Sequence, residues 1–143
     1  MQRLESRGLR VEERAVDADD DCVAHSYGQV RQYFVEHPCT TLYRGLFDIR
    51  DGRRGVAVVA VAWVDMPDEA KAREFQRLVD RHGTGNLTEL TREGARPTGV
   101  RWTGEHYASV RDDATVVNAQ AEPVGRTARA AQLAELAPTI TVG

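Results

Sequence analysis

The hydrophobic pattern changes period several times along the chain, and each change marks an element. Tyr27, Val30 and Phe34 recur at i, i+3 and i+7, predicting a helix over about 26–36. Ser26 is placed to cap it, Gly28 weakens its first turn, and Pro38 turns the chain out near His37. The period then shortens to two. Over Thr40–Arg50, Tyr43, Gly45, Phe47 and Ile49 fall on one face of a predicted strand, and Asp51–Gly52 opens a turn that Gly55 closes. The return strand, Val56–Met66, is apolar on both faces. Such a strand must be covered on both sides, which puts it inside the sheet and calls for a second layer, from this chain or a partner subunit.

Helical spacing returns after Pro67, with Asp68 and Glu69 beside the first-turn amides and Phe75, Leu78, Val79 and His82 along one side. Gly83 is placed to end that helix. A long connection follows, with a helical turn suggested near Leu87–Leu90. Three short β runs are then expected at Val100–Thr103, His106–Arg111 and Thr115–Glu122, with Asp112–Asp113 turning between the last two. Thr127 is placed to cap a final helix, Ala128–Ala137, expected to stop at Pro138. The order is α-β-β-α-β-β-β-α. This predicts an α+β fold: a mainly antiparallel sheet of about five strands with two to three helices. Residues 1–21, ending in the acidic run Asp17–Asp21, read as a charged tail or linker ahead of a single domain over 22–143. Leu9, Val11 and Val16 leave room for a short edge strand there.

Composition narrows the function classes. A chain of 143 residues can bury one core unaided, and 41% hydrophobic with 29% charged residues is ordinary for a globular domain. A net charge of −3 gives no field to hold a phosphate backbone, so no nucleic-acid partner is expected. Lys71 is the sole lysine, but the arginines are scattered, which fits codon bias better than an anion site. The longest apolar stretch, Val56–Val64, is too short to span a bilayer, and no export signal is read in the first residues; no membrane insertion by this chain is expected.

Candidate chemistry is sparse. Cys22 and Cys39 bracket the first helix, which at about 1.5 Å per residue is roughly 16 Å long. A disulfide requires the lead-in to fold back along it, and two buried free thiols are the alternative. Cys22, His25, His37 and Cys39 offer sulfur and imidazole, yet the one-residue gap between His37 and Cys39 is wrong for a zinc knuckle, so no metal is assigned. His82, His106 and Tyr107 are the catalytic candidates, and Asn86 and Trp102 the ligand-binding ones. No local motif gives either histidine a carboxylate in reach, so a His82 that caps its helix end and a His106 on the surface are the simpler reading. The run His82–Asn86 follows a helix, unlike a phosphate loop, and reads as a helix end and turn. Trp63 and Trp102 read more simply as core than as pocket. No cofactor is expected.

In HSYGQVRQYFVEHPC, VAWVDMP and RHGTGNLTEL…TGEHYAS, the chain resembles uncharacterised actinobacterial domains found in secreted or membrane-tethered proteins, over about residues 22–137. That resemblance carries no activity and no catalytic residue. It implies an extracytoplasmic location and, with it, a formed Cys22–Cys39 bridge; outside that setting the chain would be cytoplasmic. The expectation is therefore a non-enzymatic binding or protein-interaction domain, self-associating through a sheet face or binding a protein partner. The alternative is a small-molecule enzyme, ferredoxin-like or an α+β barrel, using His106 and His82 as acid–base groups.

Overall fold

A computed structural model describes residues 8–124 and 130–142 of the chain. Five antiparallel strands form one sheet in the order β1-β2-β3-β5-β4, where β1 is Leu9–Ala18, β2 Thr41–Asp51, β3 Arg54–Asp65, β4 Tyr107–Asp112 and β5 Thr115–Pro123. Three helices accompany them: α1 (Gly28–Glu36), α2 (Glu69–Val79) and α3 (Ala130–Val142), with a 3-10 turn at Leu90–Glu93. The α+β class predicted from the patterning is the fold observed.

The apolar run of β3 sits third of five, hydrogen-bonded to β2 and β5. Its alternate residues enter different cores. Ala57, Val59 and Val61 meet Phe47, Ile49, Ala119 and Ala121 under Leu136, Ala137 and Ile140 of α3. Ala62 and Val64 meet Leu42 and Val116 under Val30 and Phe34 of α1 and Ala72, Phe75 and Val79 of α2. Farther along that second face, Val58 and Leu46 pack on Leu90 and Trp102 from the long α2–β4 connection. The second layer that β3 demands is thus supplied by this chain's own α3, where a partner subunit was one expectation.

Four local expectations need correction. Leu9–Ala18, read as part of the charged lead-in, is an edge strand paired to β2 alone. A bulge between Glu13 and Ala15 turns its odd positions from one face to the other: Leu9 and Val11 pack with Ile49 on the α3 side, whereas Ala15 packs with Leu46 and Asp17 pairs with Arg44 on the opposite side. Val100–Thr103 is not a strand; Trp102 is instead drawn into the core, its indole N–H donating to Thr91 Oγ1 at 2.8 Å. Ser26 does not cap α1, which begins after it; its hydroxyl donates to the Cys22 carbonyl at 2.6 Å. The last helix runs through Pro138 to Val142. Proline removes one ladder donor, but Leu136, Ala137 and Ile140 on both sides of it are buried against the sheet, and packing outweighs the missing bond. The Thr127 cap lies outside the described residues.

The remaining boundaries follow from local chemistry. Asp68, expected beside the first-turn amides, caps α2 by accepting from the Lys71 amide at 2.8 Å. The β2–β3 turn uses Gly52 at φ 63°, and the β4–β5 turn uses Asp113 at φ 53°. Cys22 and Cys39 form a disulfide with Cα atoms 6.2 Å apart, tying the segment before α1 to the segment after it.

Candidate functional site

The long connection after α2 builds the site. It crosses the start of α1 and is stitched to it by backbone: Tyr27 N–H donates to Asn86 O at 3.1 Å, Val30 N–H to Thr84 O at 3.0 Å, and Thr88 N–H to His25 O at 2.8 Å. The Thr84 carbonyl so takes a first-turn amide that a side-chain cap would otherwise serve. The crossing is close because Gly85 has no Cβ; one placed there would lie 2.1 Å from Tyr27 O.

Where this crossing meets β4 and β5 it borders an open-sided cavity of about 290 Å³. Its walls are Tyr27 and Gly28 from the start of α1, Val79–Gly83, Gly85 and Asn86 from the α2 exit, Trp102–Gly104, and Tyr107 and Gln120 from the sheet. Four residues singled out in the sequence, His82, Asn86, Trp102 and Tyr107, converge there across 25 positions of chain (107 − 82). His106 does not line it; its backbone carbonyl accepts from Ala121 N–H.

Each group's bonding limits its chemistry. Tyr107 donates to Asp80 Oδ1 at 2.8 Å, and Ser109 donates to the same oxygen at 2.6 Å. Burial first, then the neighbouring Asp80 charge, raises the Tyr107 pKa well above its ordinary value, so the phenol stays neutral. The His82 ring lies against Gly104 and has no carboxylate partner among the described residues. Acid–base catalysis needs a proton-carrying group held by an orienting partner, and neither histidine has one.

Sequence reasoning missed the polar residues on the inner sheet face. Arg44, Asn118, Gln120 and Glu122 are buried there among apolar neighbours, and Glu89 descends on them from the connection. Arg44, 3% exposed, donates to Thr88 O at 2.8 Å, Asp17 at 2.7 Å and Glu93 at 2.8 Å. His25 continues the chain of charges, with Nδ1 2.8 Å from Glu93 and Nε2 2.9 Å from Asp19. Burial works against the charged ring, but the two carboxylates outweigh it and raise the His25 pKa. Glu93 is likewise penalised by burial yet held low by Arg44 and His25. Glu89 goes the other way: desolvation dominates and raises its pKa, although Arg92 Nε lies 3.3 Å from Oε1.

Metal chemistry finds little purchase in these contacts. Both cysteine sulfurs are in the disulfide, which removes two of the four ligands that segment offered. Ligand atoms of Asp17, Asp19 and His25 lie within 4.8 Å of one another, but Asp17 is bound to Arg44 and both His25 nitrogens to carboxylates. This group is an ion-pair network that fastens β1 to the connection.

No family model, curated protein or solved structure matches the chain. The actinobacterial resemblance accordingly adds no residue to the site, and the cavity has to be read from its own chemistry. No helix among the described residues is long and apolar enough to cross a membrane.

Proposed function

We propose that this chain is a non-enzymatic binding domain whose site is the cavity between the α2 exit and the inner sheet face. The observation that carries the reading is the convergence of Tyr27, Trp102 and Tyr107 with the carboxamides Asn86 and Gln120 on one recess of about 290 Å³. That mix of ring surface and a few placed polar groups is what small-ligand sites use, and the volume lies at the small end of their usual range. The disulfide supports an extracytoplasmic setting, since such bonds persist in oxidising compartments. Self-association through the sheet is less well supported, because α3 packs over the face expected to carry it.

A fragment library titrated into isotopically labelled protein tests the reading. Shifts confined to Tyr27, Asn86, Trp102, Tyr107 and their neighbours are expected for several ring fragments. An unresponsive cavity at millimolar fragment concentrations overturns it. The enzyme alternative would need turnover that His82→Ala abolishes.

A further inference from the structure

The bonding of the two cavity carboxamides leaves them with opposite free ends. Asn86 Oδ1 accepts from the Leu87 backbone N–H at 2.7 Å, a partner that can only donate, and from Asn118 Nδ2 at 3.0 Å. Its amide orientation is thereby set, and Asn86 Nδ2 is left as a donor with no partner among the described residues. Gln120 Nε2 donates to Glu89 Oε2 at 3.4 Å, which leaves Gln120 Oε1 as an acceptor without one. Neither free atom is walled off, for among the described residues the fully enclosed side-chain polar atoms without a hydrogen bond are Arg44 Nε, Arg50 Nε and Glu89 Oε1. Asn86 and Gln120 are themselves 6% and 5% exposed, and both line this cavity as well as a narrow recess of about 10 Å³ beside Arg44, which has room for no more than a water.

The rings beside them have no polar capacity to spare. Trp102 spends its N–H on Thr91 and Tyr107 its hydroxyl on Asp80, so toward the cavity they offer mainly apolar ring surface. We propose that the cavity binds a flat cyclic amide, whose carbonyl accepts from Asn86 Nδ2 and whose adjacent N–H donates to Gln120 Oε1 while its ring packs against Trp102 and Tyr107. A neighbouring acceptor and donor on one rigid edge is the complement of one donor and one acceptor on the wall. An amine, a carboxylate or an alcohol supplies only part of it. The cavity volume suits a single ring system. This inference rests on the cavity being a ligand site.

The test uses the disulfide-bonded wild-type chain with 2-pyridone, which carries the lactam edge, and N-methyl-2-pyridone, which keeps the ring and carbonyl but lacks the donor. Affinities come from amide and indole chemical shifts. The lactam is expected to bind in the cavity, with the methylated ring at least about tenfold weaker, because a buried acceptor is then left unpaired. Asn86→Asp keeps the acceptor for Leu87 and Asn118 but replaces the free donor with an oxygen. It is expected to weaken 2-pyridone about tenfold or more. Equal affinity for the two pyridones, or cavity binding by indole but not by 2-pyridone, overturns the cyclic-amide assignment and leaves the ligand site standing. No response of the cavity to any ring overturns both. The pyridone comparison is made on the wild-type chain and does not depend on the variant folding.

Discussion

Gly85 offers a sharp test of how the connection is locked onto α1, because Gly83, two residues away, is its natural control. Both adopt left-handed backbone, φ 99° at Gly85 and φ 88° at Gly83. Alanine at either position therefore pays a conformational cost of roughly 1–2 kcal/mol. At Gly83 nothing lies within 4 Å of the added methyl, and that cost is the whole expected effect. At Gly85 the methyl would lie 2.1 Å from Tyr27 O, 2.9 Å from Tyr27 C and 3.2 Å from Gly28 Cα. Reaching even a 3.0 Å separation from that oxygen means moving backbone against backbone by 0.9 Å (3.0 − 2.1). A shift of that size pulls on the Tyr27–Asn86 and Val30–Thr84 hydrogen bonds, now 3.1 and 3.0 Å. Each is worth about 1 kcal/mol, and roughly 1–3 kcal/mol if its groups are left buried without a partner. Gly85→Ala should thus cost about 3–6 kcal/mol, some 2–4 kcal/mol beyond Gly83→Ala. Urea unfolding of the two oxidised variants measures both, with stability read from midpoint and slope. Equal destabilisation would mean that the crossing is looser than described, and the cavity wall with it. Should Gly85→Ala be too unstable to purify, Gly28→Ala reports on the same crossing, since its methyl would lie 2.8 Å from Thr84 O.

Three further outcomes are expected. His25 has a folded pKa above its ordinary 6.5, so its contribution to stability is complete below about pH 6.5 and is lost as pH rises through the folded value. Urea midpoints of wild type should therefore fall on that alkaline side, and His25→Gln should flatten the fall; an unchanged slope in the variant refutes the assignment. Reducing the Cys22–Cys39 bond, which spans a sequence separation of 17, should cost about 3 kcal/mol, seen as a lower midpoint with reductant and no change in the Cys22→Ala/Cys39→Ala double variant. Leu136→Ala, at a site 2% exposed, should cost about 2–5 kcal/mol by calorimetry or urea; a loss under about 1 kcal/mol would show that α3 is not a working layer.

How far the sequence discloses this molecule depends on the distance between partners. β3 is legible because its signal is local: nine apolar residues fit no half-exposed strand. The two hairpins and α2 are legible for the same reason, each carrying its turn or cap within a few residues. β1 is not, because an edge strand in which only Leu9 is fully buried, and whose remaining positions are largely charged, looks like a charged linker. The buried polar face is still less accessible. Arg44 reads as a surface residue until Asp17, Thr88 and Glu93, up to 49 positions away, close around it. Four of the site candidates did converge, since polar and aromatic residues in a long connection between packed elements tend to line whatever space it encloses. His106 was grouped with Tyr107 by adjacency alone, and only Tyr107 lines the cavity. Asn118 and Gln120 escaped notice because they sit in an otherwise apolar strand and carry no motif.

The double allegiance of β3 bears on how the molecule melts. Odd and even residues of one strand anchor opposite cores, so neither core can open without dismantling the backbone on which the other is built. Heating should give a single calorimetric transition whose van't Hoff and measured enthalpies agree. A ligand held against Trp102 on one side would then protect the amides of α3 on the other, by raising the free energy of the one global opening that exposes both.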